Sequence, residues 1–113
     1  MKVPPFGLLD TGSVYTLVST TYANLLRIDY KTAPETEIIG LGGTRSKAHQ
    51  LELKMVLKIP NYAWMAKVAV TTAVEGFPFH VLLGHIGFFD RFDVTFQTRY
   101  SHFHIKTEQP PNA

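Results

Sequence analysis

Residues 8–13 have the sequence Leu-Leu-Asp-Thr-Gly-Ser. Two apolar residues precede a run of turn-forming residues, and an apolar segment, 14–18, follows as a predicted strand. An ordinary loop explains the stretch when it is taken alone, because Asp, Thr, Gly and Ser all favour turns. In either case the pattern predicts that the carboxylate of Asp10 lies at the end of a buried strand.

Two further motifs follow along the chain. Residues 38–44, Ile-Ile-Gly-Leu-Gly-Gly-Thr, suit the tip of a mobile hairpin, with 45–50 as its returning arm, although a plain β-turn also explains such glycines. Within residues 80–92, the apolar pair Leu82-Leu83 is followed by Gly84 and then by a predicted short helix over 86–91.

Alternating hydrophobicity predicts a mainly β chain. Apolar residues occupy every second position from Leu51 to Ile59, which indicates a strand with one buried face. Pro60-Asn61 supplies a turn into a second strand over 62–71. A C-terminal hairpin is predicted from the alternation in 92–96 and 103–105, joined by a turn over 98–101.

Helical signals are fewer. Ser19 or Thr20 can cap a short helix that ends at Leu26 and places Tyr22, Leu25 and Leu26 on one side. Short strands separated by turns favour a small barrel or sandwich.

The order of these motifs resembles that of retropepsin-like aspartic proteases, the retroviral type, over residues 6–105. The resemblance implies a mainly β fold: a small closed β-barrel with a glycine-rich flap hairpin, one or two short helices, and an N-terminal strand that is short or missing. The chain would form one domain over residues 1–106 with a flexible C-terminal tail over 107–113.

The implied activity is that of an aspartic endopeptidase acting on extended polypeptides, with no metal or other cofactor. One carboxylate would activate water while a partner carboxylic acid polarises the peptide carbonyl, since like charges ~3 Å apart cannot both ionise. The chain contains a single Asp-Thr-Gly, so a homodimer with one Asp10 from each subunit is expected. Activity should favour mildly acidic pH because the pair must hold one proton.

The resemblance also assigns roles to individual residues. Gly12 would donate N–H groups to the Asp10 carboxylate, Thr11 would bond to the other subunit, and the Ser13 hydroxyl would bond the outer oxygen of Asp10. The flap would bind substrate through Gly40, Leu41, Gly42 and Gly43. An apolar floor beneath the catalytic loop would be formed by Leu82, Leu83 and Gly84. Apolar subsites are assigned to Leu8, Leu41 and Val81 only because these residues lie next to the motifs in the sequence.

Composition excludes several other classes. With 113 residues, 45% of them apolar, the chain can form one core, and the absence of Cys excludes disulfide scaffolds and thiolate zinc sites. A net charge of +2 without a basic run argues against nucleic-acid binding. No apolar run approaches the ~18 residues of a membrane span, and 1–6 lacks the apolar core of a signal peptide. A soluble protein is expected, in a compartment that the sequence does not determine.

Histidine chemistry offers weaker alternatives. His102 and His104 share a strand face but are too few for a usual zinc site, and the spacing of His80 and His85 suits no ligand pair. A serine hydrolase built on Ser13 would need a nucleophile elbow, which the sequence lacks.

The main rival is a retropepsin fold without catalysis, acting as a dimerisation or peptide-binding module. Only nine residues precede Asp10, whereas the family usually has further strands there, and prolines limit residues 1–5 to an edge strand or arm. No aromatic residue occurs over 38–50, so a flap tyrosine is missing, as is usual for the retroviral type.

Overall fold

The computed structural model describes residues 7–39, 43–57, 62–97 and 102–106, of which 96, 97 and 102–104 are described by their backbone only. Within these residues the mainly β prediction is confirmed. The elements are β1 (Gly7–Leu9), β2 (Leu17–Ser19), α1 (Thr20–Leu25), β3 (Glu35–Ile39), β4 (Arg45–Leu57), β5 (Tyr62–Thr71), β6 (Val81–Leu83), β7 (Asp93–Gln97) and β8 (His102–Lys106).

Six strands form one curled sheet in the order β1-β6-β2-β5-β4-β3, and β7 pairs with β8 in a second sheet. Within the described residues the large sheet is a half-barrel with β1 and β3 at its edges. The closed barrel therefore stays a prediction. The arm over 1–6, the tail over 107–113 and the two predicted turns at 60–61 and 98–101 lie outside the described residues.

The long hairpin of β4 and β5 follows from the alternating sequence. The strands pair antiparallel from Ala48↔Thr71 to Leu57↔Tyr62, so the predicted hairpin is confirmed. Along β4 the apolar residues Leu51 and Leu53 are half-buried and the intervening Glu52 is exposed. One face of the hairpin thus packs on the core while the other faces solvent.

The centre of the sheet is buried on both faces. Because successive side chains in a strand point to opposite faces, β2, β5 and β6 contribute one row of residues to each side. Val81, Val18 and Val70 form the row that packs with Trp64, Phe88 and Phe92, while Leu82, Leu17 and Ala69 form the opposite row. Both faces of β6 are therefore packed in the core.

The first helix forms where the sequence predicts it. Ser19 caps α1, and its hydroxyl accepts a hydrogen bond from the Tyr22 amide at 3.0 Å. The side of the helix on which Leu25 lies is not its buried side, because Ala23 is fully buried whereas Leu25 is 69% exposed. The small side chain of Ala23 suits the close packing of this short helix against the sheet.

The second predicted helix, over 86–91, is wrong: Ile86 forms an isolated bridge, and 87–91 form consecutive turns. Gly87 has φ +103, outside the helical region. Its carbonyl accepts a hydrogen bond from the buried Trp64 indole at 2.9 Å, which holds the glycine against β5.

The strand predicted over 14–18 is shorter in the structure. It begins at Leu17, after an isolated bridge between Tyr15 and Ile86. No helix in the described part of the chain is long and apolar enough to cross a membrane.

Candidate active site

Asp10 is the first residue after β1. This strand pairs in parallel with β6, so that Leu9 lies opposite Leu83. The Asp10 amide continues the pairing by donating to the Leu83 carbonyl at 3.0 Å. The half-buried carboxylate is therefore held at the carboxyl end of a strand whose neighbour is anchored in the core.

A tight turn encloses the Asp10 carboxylate. The Gly12 amide donates to Asp10 Oδ1 at 3.0 Å, and the Ser13 amide donates to the Asp10 carbonyl at 3.1 Å. A Cβ at Gly12 would lie 3.3 Å from Oδ1, a tighter approach than most side chains make. The geometry therefore contains the predicted contact between Gly12 and the carboxylate, and the neighbouring Thr11 and Gly12 are exposed at the surface.

The hydroxyl of Ser13 is directed elsewhere than predicted. It donates to the Tyr15 carbonyl at 2.7 Å and makes no hydrogen bond to Asp10 in the described structure. The Tyr15 carbonyl thus accepts the hydrogen bond that was predicted for the carboxylate of Asp10. The predicted bond between Thr11 and a second subunit stays a prediction.

Gly84 packs directly beneath the turn. Its buried amide donates to Thr16 Oγ1 at 3.1 Å, and Thr16 is fully buried. A Cβ at Gly84 would overlap the Tyr15 carbonyl. Leu82 is buried and Leu83 is half-buried. The role of 82–84 as an apolar floor stays a prediction.

The residues after Gly84 run beside the turn. Backbone hydrogen bonds join His85 N to Ser13 O (2.9 Å), Ile86 N to Val14 O (2.8 Å) and Thr16 N to Ile86 O (3.0 Å). The His85 ring also contacts the turn, with Nε2 at 2.6 Å from the Thr11 carbonyl oxygen. The sequence-based prediction assigned His85 no role, although its place directly after the glycine beneath the turn was a usable signal.

The predicted flap is only partly described. β3 and β4 pair antiparallel up to Ile39↔Arg45, so residues 40–44 connect the two strands of a hairpin. Gly40, Leu41 and Gly42 lie outside the described residues. Gly43 is exposed with φ +79, and a Cβ there would meet no atom within 4 Å.

The assigned subsite residues differ in accessibility. Leu8 is 45% exposed, whereas Val81 is 5% exposed and belongs to the core. Leu41 lies outside the described residues.

His80, which lies away from the turn, has structural contacts. His80 Nδ1 lies 3.1 Å from the hydroxyl of Ser19, and its ring stacks on Tyr22 with centroids 5.4 Å apart. Among the residues that the structure describes, no three His, Asp or Glu side chains form a metal-binding cluster.

Comparison with known proteins assigns no family. No family model, curated protein or solved structure matches the chain. A carboxylate held by one amide on an exposed turn can accept a proton from water, but activating a peptide carbonyl also requires an acid.

Proposed function

We propose that the chain is an aspartic endopeptidase of the retropepsin type, whose active form is a homodimer. The observation that carries the proposal is the Asp10 carboxylate, held by the Gly12 amide at 3.0 Å on a turn supported by Gly84. The exposure of Thr11 and Gly12 leaves this turn accessible to a second copy of the chain. A second Asp10 would supply the acid that one chain lacks.

In this mechanism the two Asp10 carboxyl groups share one proton. The ionised group takes a proton from water, and the water oxygen attacks the peptide carbonyl, which the protonated group polarises. The tetrahedral intermediate collapses when the peptide nitrogen is protonated and the C–N bond breaks. The Gly12 amide orients the carboxylate throughout, and no covalent intermediate with the enzyme forms.

The substrate in this proposal is an extended polypeptide. β3 and β4 pair antiparallel up to Ile39↔Arg45, and the proposal makes the glycine-rich segment between them in the sequence the tip of a flap hairpin. Backbone groups at such a tip can hydrogen-bond an extended chain in the manner of strand addition. The Leu8 side chain, which is 45% exposed and lies two residues before Asp10, offers an apolar contact for a substrate side chain.

One observation favours a second candidate, a catalytically inactive module for dimerisation or peptide binding. Because the Ser13 hydroxyl is bonded to the Tyr15 carbonyl, the outer oxygen of Asp10 lacks the hydrogen bond that an active loop of this type would have. A turn that keeps its shape without this bond can still serve as an interface.

Digestion of a peptide mixture distinguishes the two candidates. Wild-type protein and Asp10→Asn are incubated from mildly acidic to neutral pH, and products are identified by mass spectrometry. Asn retains an oxygen that accepts the Gly12 amide, so the variant should keep the fold, which circular dichroism checks. Internal cuts by the wild type alone support the protease. Cuts by both proteins would contradict the role of Asp10, and cuts by neither, from a dimer seen by sedimentation, would favour the inactive module.

A further inference from the structure

His85 contacts the Asp10 turn at two points on either side of Gly12. Its backbone amide donates to the Ser13 carbonyl at 2.9 Å, and its ring Nε2 lies 2.6 Å from the Thr11 carbonyl oxygen. A carbonyl oxygen can only accept, so Nε2 must carry the proton. His85 is therefore a donor to the turn through both its backbone and its side chain.

The Thr11 carbonyl and the Gly12 amide belong to the same peptide group. That group is planar and trans, so its C=O and N–H point in opposite directions and rotate together. Holding the Thr11 oxygen with His85 consequently fixes the direction of the Gly12 N–H, which points at Asp10 Oδ1. The result is a chain of hydrogen bonds from the imidazole through one peptide group to the carboxylate, and each bond in such a chain polarises the next.

The His85 ring is itself oriented by neighbouring residues. It packs against the Phe89 ring, with centroids 5.5 Å apart and an interplanar angle of 47°. Its backbone carbonyl accepts from the Asp90 amide at 2.8 Å, and Gly84 before it is fixed beneath the turn. The segment that follows β6 therefore fixes both the ring and the backbone of His85.

We propose that His85 is a positioning residue that orients the Asp10 carboxylate through the Thr11–Gly12 peptide group. The catalytic consequence rests on the proposed function, whereas the orientation of the turn does not. The imidazole touches neither substrate nor reacting atoms in this role. It acts by restricting the peptide group that donates to Asp10.

Two variants distinguish the effect of the side-chain N–H donor of His85 from the effect of its aromatic ring. His85→Gln keeps a side-chain N–H that can reach a carbonyl, and His85→Phe keeps the ring against Phe89 without any donor. In ¹⁵N NMR spectra of the wild type, Nε2 of His85 should carry the proton. Hydrogen exchange of the Gly12 amide, which donates to Asp10 Oδ1, should become about tenfold faster in His85→Phe, the effect expected for one hydrogen bond, and should stay near the wild-type rate in His85→Gln. Amides of β5, such as that of Val68, should not change in either variant.

Peptide cleavage by the same variants tests the catalytic consequence. In His85→Phe, kcat should fall about 10- to 100-fold with KM nearly unchanged, since a small misplacement of a catalytic group has effects of this size. His85→Gln should recover most of the loss. Unchanged kcat in His85→Phe would overturn this consequence.

The two readouts can fail independently. Equal hydrogen-exchange rates and equal chemical shifts of the Gly12 amide in the two variants, or an unprotonated His85 Nε2, would overturn the positioning role whatever the activity. Absence of Asp10-dependent cleavage in the wild type would instead contradict the proposed function, and the NMR result would still decide the role of His85.

Discussion

Gly84 and Tyr15 lie so close together that they fit only because Gly84 has no side chain. A Cβ on Gly84 would stand 2.6 Å from the Tyr15 carbonyl carbon and 2.8 Å from the Ser13 carbonyl oxygen. Both of these atoms are backbone, so they cannot rotate away as the end of a flexible side chain could. The contact joins the end of β6 to the turn that carries Asp10, and the position of the turn depends on it.

Gly84→Ala should therefore destabilise the protein and disturb the turn. We expect a loss of about 1–3 kcal/mol in the free energy of unfolding, as for other overpacked sites, measured by chemical denaturation. Gly7→Ala is the matched control, because a Cβ there would make only ordinary contacts of 3.5 Å or more. Equal stability of the two variants would contradict the close packing of Gly84 against the turn.

Thr16 should stabilise the same contact through its hydroxyl. This side chain is fully buried, and its Oγ1 accepts the buried Gly84 amide at 3.1 Å. Thr16→Val keeps the shape but leaves that amide without its acceptor, which should cost about 1–3 kcal/mol of unfolding free energy. Thr16→Ser keeps the acceptor and should retain the Gly84 hydrogen bond, visible as slow exchange of the Gly84 amide. Fast exchange of that amide in Thr16→Ser, or slow exchange in Thr16→Val, would show that the hydroxyl is not its partner.

Sequence periodicity predicted the parts of the fold that depend on local patterns. The alternation from Leu51 onward specified the face of β4, and Ser19 specified the start of α1. The second helix was missed because Gly87 takes a positive φ at its contact with β5, where a Cβ would overlap the Lys67 carbonyl oxygen. That contact depends on residues far away in the chain, so no local pattern reveals it.

The same division applies to the site. The turn at Asp10 and its contact with the Gly12 amide follow from local turn chemistry. The Ser13 hydroxyl donates to the Tyr15 carbonyl, and no local pattern in the sequence reveals that choice of acceptor. The contact of His85 with Thr11 arises from the parallel pairing of β1 with β6, which sets their ends side by side.

Glu75 should make stability depend on acidic pH. Desolvation raises the pKa of its carboxyl group, but hydrogen bonds from Thr20 and Thr21 together outweigh this effect and lower the pKa below 4.5. A carboxyl group with a depressed pKa stabilises the fold above its unfolded pKa, and this contribution is lost as the pH falls through the folded value. Glu75→Gln should thus lower the free energy of unfolding at pH 7 by about 1 kcal/mol, after allowance for solvent screening.

The difference between wild type and Glu75→Gln should shrink as the pH falls below 4.5, in denaturation curves recorded at several pH values. Glu37→Gln is the control, because Glu37 pairs with Arg45 on an exposed surface, where side-chain exposures are 59% and 73%. Such pairs contribute little to stability. A constant difference for Glu75→Gln across the acidic range would contradict the role of its charge.

Mixing wild-type and Asp10→Asn protein tests whether two copies of Asp10 form one active site. Because the chain has a single Asp-Thr-Gly, a mixed dimer would hold one carboxylate and should be inactive. At constant total protein and with free exchange of subunits, an equal mixture should then retain about a quarter of the wild-type cleavage rate, the share of wild-type homodimers in a symmetric assembly. The rate of peptide cleavage is measured after preincubation long enough for exchange. A rate that falls in direct proportion to the wild-type fraction would indicate that each subunit acts alone, and a shared pair of Asp10 carboxyl groups would then be ruled out.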